Sequence, residues 1–316
     1  MPFTCVRTLA GAAIAFAGAA SAETLTVANA IPGVLRAGAV IEVVKEGFDG
    51  TEGPLPQADG SLLFTENRAG RIVRIAPDGS TSVWLEQSGG ANALALTPKG
   101  EVVAALTAEP GIGIVKAGAA PRVLASSFEG QSFNRPNDLV AGRLGQVYFT
   151  DPGANAVAGE ASQPVAVYQL TADGRVQRVA AEVGRPNGIA LSPDERTLYL
   201  ADTLGEWVLA FDVDADGAVS GQRRFARLIG YRQSETGPRS GADGLAVDAE
   251  GRVYVASSAG VEVFSPRGEA LGVLELPKAP QNLAFAGSNR DTLYVVGRGS
   301  VYRVATLTRG PDRPGK

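Results

Sequence analysis

A short pattern repeated six times constrains the fold of this chain more than any other feature of its sequence. Each copy sets a variable residue and three or four apolar residues after a turn, as in a buried strand. The copies are GSLLFTE (60–66), GEVVAAL (100–106), GQVYFTD (145–151), RTLYLAD (196–202), GRVYVAS (251–257) and DTLYVVG (291–297). They start 40, 45, 51, 55 and 40 residues apart. Six β units of this period predict an all-β, six-bladed β-propeller with four-stranded antiparallel blades around a central channel.

One propeller domain accounts for residues 23–308. Turn residues in the fourth copy predict strands over 188–192, 197–202, 207–213 and 223–228. A strand over 40–44 is expected to close the ring beside the last blade, which hides the sheet edges. A jelly roll or sandwich does not predict six equivalent units. Residues 309–316 are expected to form a flexible tail.

The N-terminus has the pattern of a secretory signal. Arg7 precedes an apolar stretch over 9–20, and Ala20-Ser21-Ala22 forms a small-residue cleavage site. This pattern predicts a signal peptide over 1–22 and a periplasmic or secreted mature protein. No later segment is apolar for 18 residues, so no contact with a membrane is expected after cleavage. We expect a monomer.

The chain contains no histidine and one cysteine, Cys5. This composition excludes Ser-His-Asp and Cys-His catalysis, histidine-ligated zinc, thiolate metal clusters and disulfides within the chain. It also weighs against a quinone-dependent redox propeller. The net charge is −4 and no basic run occurs, which argues against nucleic-acid binding.

A carboxylate or amide residue stands 8 or 9 positions before each repeat: Glu52, Asn92, Asn137, Asn187, Asp243 and Asn282. These positions precede the innermost strands, whose starts should meet at one mouth of the channel. Glu66, Asp151 and Asp202 end second strands and predict an outer acidic tier on the same face. Any one of these residues could be a turn residue, but six equivalent ones favour a channel site. A divalent cation would relieve the repulsion between carboxylates, and oxygen ligands suit calcium, with magnesium or manganese as alternatives.

At these residues the chain resembles the regucalcin/gluconolactonase family of six-bladed propellers. The matching segments are TEGP (51–54), RPND (135–138), FTDP (149–152), PNG (186–188), ADGLAVD (242–248), 260–268 and NLAF (282–285), within 46–307. The resemblance implies a divalent metal held by Glu52, Asn187 and Asp243. It further implies that Asn137 is a ligand or substrate contact, that Arg135 binds substrate, and that Asp243 also activates water. Members commonly hydrolyse sugar lactones, and some relatives hydrolyse other esters or organophosphates.

The sequence departs from this family at two places that should border the substrate. LTAEP (106–110) stands where members often have a Glu-His pair, and Gly153-Ala154-Asn155 follows Pro152 in place of Pro-Tyr-Gly. The particular lactone therefore stays open. Two long connections, 152–164 and 229–242, reach the same face, and each could be a lid or a simple surface insertion.

We therefore expect a metal-dependent lactonase. The cation, calcium first with zinc, magnesium or manganese as alternatives, would polarise the carbonyl, and a carboxylate or metal-bound water would supply the nucleophile. Asp243 is the first candidate for the base, with Asp151 or Asp202 as alternatives. Asn92, Asn282, Asp151 and Asp202 are further expected substrate contacts. The competing hypotheses are a non-catalytic ligand- or protein-binding propeller with a structural calcium, and a related esterase or organophosphate hydrolase.

Overall fold

The computed structural model describes residues 26–153, 164–235 and 237–312. The predicted signal peptide, residues 154–163 of the first long connection and residues 313–316 of the expected tail lie outside this part. Within the described ranges the chain forms strands, turns and loops, and no helix is present. It follows that no helix there is long and apolar enough to cross a membrane.

The strands are numbered along the chain. The N-terminal strands and the first two blades contain β1 Thr26–Ala28, β2 Ala39–Glu46, β3 Glu52–Pro56, β4 Leu62–Glu66, β5 Arg71–Ile75, β6 Thr81–Leu85, β7 Ala91–Leu96, β8 Val102–Leu106, β9 Gly111–Lys116 and β10 Ala119–Ala125. The middle of the chain contains β11 Ser127–Phe128, β12 Gln131–Ser132, β13 Leu139–Ala141, β14 Val147–Asp151, β15 Ala166–Leu170, β16 Val176–Ala180, β17 Pro186–Leu191, β18 Thr197–Asp202, β19 Trp207–Val213 and β20 Val219–Arg227. The last part contains β21 Arg232–Ser234, β22 Gly237–Arg239, β23 Leu245–Val247, β24 Val253–Ser257, β25 Gly260–Phe264, β26 Ala270–Leu274, β27 Asn282–Ala286, β28 Thr292–Gly297 and β29 Ser300–Ala305.

Six antiparallel sheets form a closed ring, so the six-bladed propeller predicted from the repeats is confirmed. Blades one to five are β3–β6, β7–β10, β13–β16, β17–β20 and β23–β26, and blade six is β27–β29 with β2 and β1 at its outer edge. The innermost strands contact one another in the order β3, β7, β13, β17, β23, β27 and back to β3. They therefore line the central channel.

The N-terminal strand closes the ring, as the sequence predicts. In β2, Glu42 lies opposite Arg303 of β29, and the Arg303 guanidinium donates to both Glu42 oxygens at 2.8 and 2.7 Å. The last blade is thus completed by residues from the other end of the chain. This pairing covers the outer edge of β29, which removes a route to aggregation.

The hydrophobic core lies between the blades rather than inside any one of them. Among the described residues, six apolar clusters each combine side chains of two neighbouring blades. Second and third strands are buried on both faces for this reason, whereas outermost strands such as β10 and β20 are largely exposed. A single blade cannot bury its apolar faces alone, so blade packing and ring closure stabilise the fold together.

Residues 309–312 lie against the propeller, although the sequence predicts a flexible tail from Arg309 onward. The Ala249 N–H donates to the Arg309 carbonyl at 2.8 Å, and the Gly310 N–H donates to the Arg290 carbonyl at 2.8 Å. Gly310 and Pro311 are buried. These contacts with distant residues hold the chain four residues beyond the expected end of the domain.

Candidate functional site

The six polar residues that precede the repeats stand at or within two positions of the starts of the innermost strands, and they form a ring at one mouth of the channel. Hydrogen bonds join neighbouring segments at five of the six junctions of this ring. They are Asn92 Nδ2 to Asn137 O (3.0 Å), Ile189 N to Asp138 Oδ2 (3.3 Å), Gly188 N to Asp243 O (2.9 Å), Gly244 N to Gln281 O (2.7 Å) and Asn282 Nδ2 to Glu52 Oε2 (3.2 Å). The predicted convergence is therefore present in the structure.

Glycines after three ring residues allow the inner strands to approach this closely. A Cβ at Gly188 would lie 2.2 Å from the Asp243 carbonyl oxygen, and a Cβ at Gly244 would lie 2.2 Å from the Asn282 side chain. A Cβ at Gly53 would lie 2.6 Å from the next blade's backbone. The Glu-Gly, Asn-Gly and Asp-Gly pairs of the sequence thus combine an oxygen-bearing side chain with a strand start that only glycine fits.

Threonines at or just after the ends of three second strands tie a ring segment to its neighbour. Their hydroxyls donate to backbone carbonyls in the next blade: Thr65 to Asn92 at 2.9 Å, Thr150 to Asn187 at 2.8 Å and Thr203 to Ala242 at 2.8 Å. These bonds link the blades at the depth of the ring. They fix the backbone from which the polar side chains project.

Glu52, Asn187 and Asp243, the three metal ligands implied by the resemblance, are brought together. Desolvation raises the pKa of Asp243 well above its ordinary value of 3.8, and the Glu52 and Asp138 carboxylates raise it further. Asn187 donates a hydrogen bond to Asp243, and the Arg298 charge opposes the rise. The Glu52 and Asp243 carboxylates therefore lie close enough to repel each other at the ring.

The side-chain amide of Asn187 gives the clearest indication that a ligand binds here through oxygen atoms. The amide Nδ2 donates to Thr203 Oγ1 at 3.2 Å, but the amide oxygen Oδ1 is buried and has no hydrogen-bond partner among the described residues. A buried amide oxygen without a partner costs about 1–3 kcal/mol. A divalent cation between this oxygen and the Glu52 and Asp243 carboxylates would satisfy the amide and neutralise both charges.

The Glu52 carboxylate is held in place by three donors. Gln281 Nε2 donates to Oε1 at 3.2 Å, and Asn282 Nδ2 and the Gly53 N–H donate to Oε2 at 3.2 and 3.3 Å. Glu52 is only 5% exposed. These donors fix the position of the carboxylate at the ring.

No group of three or more histidine, cysteine or acidic side chains stands at metal-binding distance in the described ranges. The residues that fit a cation are two carboxylates and an amide. Oxygen-only ligation of this kind suits calcium, magnesium or manganese better than zinc, which prefers nitrogen and sulfur.

Asn92 and Asn282, predicted substrate contacts, use their amides within the protein. Asn92 accepts from Asn67 Nδ2 at 2.8 Å and donates to the Asn137 carbonyl, and Asn282 donates to Glu52 and accepts from the Leu283 N–H at 2.9 Å. Both are nearly buried. Both amides therefore help to position the ring, and their contact with substrate stays a prediction. Asn137 keeps a partly exposed surface at the mouth.

Asp151 and Asp202, the other predicted substrate contacts and alternative bases, brace the loops that lead into the ring. Asp151 is fully buried and accepts from the backbone N–H groups of Asn134 and Arg135 at 2.8 and 2.9 Å. Asp202 takes the same role one blade later and accepts from the Gly184 and Arg185 N–H groups at 3.0 and 2.8 Å. Their oxygens accept from backbone donors, so these residues position the loops, and their contact with substrate stays a prediction.

Glu66, the third residue of the expected outer tier, has the equivalent role in the first blade. It accepts from the Asp49 N–H at 2.7 Å and from the Arg71 guanidinium at 2.6 Å. The acidic tier is therefore a repeated loop brace. The repeat pattern located it correctly, but the sequence does not show that backbone N–H groups occupy its oxygens.

A cavity of about 490 Å³ opens at this mouth of the channel. It is lined by Phe48, Asp49, Gly50, Asn67, Arg68, Thr107, Arg135, Gln281, Arg298 and Gly299. Two lining residues also bond to the ring, Gln281 to Glu52 and Asn67 to Asn92, so the cavity borders these two ring side chains. Its volume suits a small ligand such as a sugar derivative.

Arg135 lines this cavity with an exposed side chain, as expected for a substrate contact. The sequence interpretation missed Arg68, Arg298 and Gln281 in the same lining. The signal for Arg298 was its place in the Gly297-Arg298-Gly299 turn of the closing blade. Arg68 and Gln281 lie outside the repeated pattern and carried no comparable signal.

Asp138 is a further residue that the sequence interpretation did not single out. It is fully buried, and its oxygens accept from the Leu139 N–H at 2.8 Å and from the Ile189 N–H at 3.3 Å in the next blade. Its charge contributes to the raised pKa of Asp243. Its position directly after the ring residue Asn137 was the available signal.

The long connection over 229–242 contains the hairpin β21–β22 and leads directly into the ring at Asp243. The buried Glu262 carboxylate holds its start by accepting from the Ile229 and Gly230 N–H groups at 2.6 and 3.0 Å. The segment is thus a braced hairpin beside the site. Whether it moves as a lid stays a prediction.

Comparison with known families identifies a match over most of the described chain. Residues 50–298 match the family model described as "SMP-30/Gluconolactonase/LRE-like region". This range contains all six ring residues and all six sequence repeats.

Individual proteins give the same result. A gluconolactonase of Zymomonas mobilis is 29% identical over 300 residues, which cover 88% of this chain and 84% of that protein. A 6-deoxy-6-sulfogluconolactonase of Pseudomonas putida is 31% identical over 247 residues, which cover 74% and 78%. The solved structure of a gluconolactonase from Xanthomonas campestris superposes with a TM-score of 0.74 at 28% identity and covers 85% of this chain and 90% of that one.

Proposed function

The chain belongs to the SMP-30/gluconolactonase/LRE-like family, and from that premise we propose that it is a lactonase that opens sugar lactones with the help of a divalent cation. The observation that carries the proposal is the buried Asn187 oxygen without a partner, next to the Glu52 and Asp243 carboxylates. Two relatives named as lactonases at 29% and 31% identity support the substrate class.

Glu52, Asn187 and Asp243 would hold the cation, with Asn137 at the edge of the set. Calcium is our first choice because all donors are oxygens, and magnesium, manganese or zinc are alternatives. A bound cation would polarise the lactone carbonyl and make a neighbouring water more acidic. That contribution is needed because the chain has no histidine to serve as a general base.

The protein's own groups would do the remaining work. Asp243 lies beside the Glu52 carboxylate and the Asn187 amide at the ring, and one of its oxygens would accept a proton from the attacking water. Arg135 would orient substrate hydroxyls from the cavity wall, and Asn137 would do so from the ring. Asp151 would fix the Arg135 backbone and thereby the direction of its side chain.

We also propose that the protein acts in the periplasm or outside the cell as a monomer. The apolar segment and the Ala20-Ser21-Ala22 site support export. Mass spectrometry of the protein isolated from its native host is expected to give a chain that starts at Glu23. A chain that retains Met1 would contradict export by this signal.

The function is tested with chelator-treated protein and a panel of aldonolactones, simple γ- and δ-lactones, aryl esters and an aryl phosphotriester. Ring opening releases a proton, which an indicator assay follows with and without Ca²⁺, Mg²⁺, Mn²⁺ or Zn²⁺. We expect turnover of aldonolactones that is lost on chelation and restored by one of the cations.

Two variants separate catalysis from folding. Asp243→Ala is expected to abolish turnover even at saturating metal, whereas Asp173→Ala, in the turn between β15 and β16 at the opposite face, is expected to retain it. Cation binding without turnover of any panel member would favour the non-catalytic propeller. Turnover of esters or the phosphotriester alone would favour the other hydrolase classes.

A further inference from the structure

The cavity above the ring is strongly cationic in a chain whose net charge is −4. Three of its ten lining residues are arginines, Arg68, Arg135 and Arg298, and one, Asp49, is acidic. The arginines come from blades one and six and from the loop before blade three. Their chain positions are unrelated, so only the closed ring brings their charges to one opening.

The side chains of these arginines are exposed, and none forms an ion pair with a described residue. The nearby Arg71 differs, because it bonds to Glu66 at 2.6 Å. An unpaired guanidinium has five N–H donors available and matches carboxylate, sulfonate or phosphate oxygens in two-point contacts. Three such groups around one cavity form a receptor for an anion.

Arg298 occupies a backbone position that favours other residues. Its φ is +52°, and that of the following Gly299 is +76°, so the two form a tight turn between β28 and β29. Asparagine, aspartate and glycine are the usual residues at such positions. Backbone geometry therefore does not account for the arginine, whereas a need for a cation at the mouth does.

This turn is also fixed to the site below it. The Arg298 N–H donates to Gln281 Oε1 at 2.8 Å, and Gln281 Nε2 donates to Glu52 Oε1 at 3.2 Å. One glutamine thus connects the arginine turn to the proposed metal ligand. This connection fixes the position of the Arg298 backbone relative to the ring.

We propose that Arg68 and Arg298, together with Arg135, bind an anionic substituent carried by the lactone at the end remote from its carbonyl. The inference rests on the proposed lactonase function and specifies its substrate class. A lactone whose carbonyl reaches the buried ring leaves its remote end at the exposed rim, where the guanidinium groups lie. The shared chemistry is a carboxylate, sulfonate or phosphate oxygen.

The test compares glucono-1,5-lactone with its 6-phosphate and 6-sulfonate analogues as substrates of the metal-loaded protein. We expect kcat/KM for the anionic substrates to exceed that for the neutral one by about tenfold or more, since a charge-assisted contact has that effect. The advantage should shrink as salt rises from 20 mM to 500 mM, because exposed charges are screened. The two analogues distinguish a phosphate from a sulfonate ligand.

Arg68→Gln and Arg298→Gln are each expected to lower kcat/KM for the anionic substrates about tenfold more than kcat/KM for the neutral one. Arg196→Gln removes the same charge from an exposed turn at the opposite face and should change neither. An equal fall for neutral and anionic substrates would overturn the inference, because the arginines would then act on the part that both substrates share.

The two proposals fail in different ways. Turnover of the neutral lactone without preference for anionic analogues refutes the anion site and leaves the lactonase proposal intact. If no lactone is turned over, calorimetry with 6-phosphogluconate and gluconate still tests the rim. Tighter binding of 6-phosphogluconate than of gluconate, with the difference lost in Arg68→Gln, supports the anion site. Equal binding of the two acids refutes it.

Discussion

The carboxylates at the channel mouth predict that one substitution has opposite effects on stability with and without metal. In chelator-treated protein, Asp243→Asn is expected to raise stability at neutral pH because it removes a charge beside Glu52 and Asp138. With saturating calcium it is expected to lower stability relative to wild type, because a ligand is lost. A merely structural aspartate would give the same sign in both conditions.

The magnitude follows from the raised pKa of Asp243. Below its unfolded value of 3.8 both states are protonated, and above it the unfolded chain loses a proton that the folded protein retains. Stability therefore falls by up to about 1.4 kcal/mol per pH unit until the folded pKa is passed. For a domain of this size 1 kcal/mol corresponds to about 2–4 °C in Tm, so Asp243→Asn should raise the Tm of chelated protein by several degrees at pH 7.

Bound calcium is expected to reverse the order of stability of the wild type and Asp243→Asn. Calcium at one hundred times its Kd stabilises the wild type by about 2.7 kcal/mol. This corresponds to a rise in Tm of about 5–10 °C, which the variant should lack. The assay is thermal unfolding from pH 3 to pH 8 in EDTA and in excess calcium, followed by circular dichroism.

Asp59→Asn is the matched control, since it removes a carboxylate at the opposite face. Hydrogen bonds from Ser61, and then the Arg74 guanidinium, lower the pKa of Asp59 to about 2. Its contribution to stability is present above pH 3.8 and is lost as pH falls toward 2, so the variant should be slightly less stable at pH 7, by less than about 1 kcal/mol because the site is exposed. Its calcium response should equal that of the wild type. A lower Tm of chelated Asp243→Asn at pH 7 would refute the repulsion argument.

Three further changes test the site. Arg135→Ala should leave calcium binding unchanged by calorimetry and lower kcat/KM about 10- to 150-fold, and a loss of calcium binding would contradict its role as a substrate contact. Gly188→Ala should weaken calcium binding at least tenfold while circular dichroism stays that of a propeller, because the added Cβ would displace the Asp243 backbone; unchanged affinity would show that the strands can separate freely. Asp151→Asn should accelerate amide exchange in the loop before Asn137 and lower stability by about 1–3 kcal/mol, and unchanged exchange would remove its bracing role.

The fold and the location of the site followed from local patterns. Turn residues followed by apolar runs predicted the bounds of β18 and β19 as the structure has them, because hairpin turns and strand alternation depend on neighbours in sequence. The strand that closes the ring was also predicted, since a last blade completed by the N-terminal strand joins the two ends of the ring. The position of the six ring residues followed from the repeat, because equivalent positions in equivalent blades must meet at the axis.

What the sequence by itself determined, then, was the propeller and the mouth at which its polar residues meet, while the state of each polar atom was decided only by tertiary structure. Asn92 and Asn187 occupy equivalent positions, but the Asn92 oxygen accepts from Asn67 and the Asn187 oxygen has no partner. Glu52 is held by Gln281, which lies 229 residues away. The hydrogen-bond partner of each polar atom comes from the blade that packs beside it. The distance between two atoms in space therefore decides the partner, and a local sequence pattern contains no information about that distance. For the same reason the sequence did not place Arg298 at the site, because only closure of the ring brings blade six beside blade one.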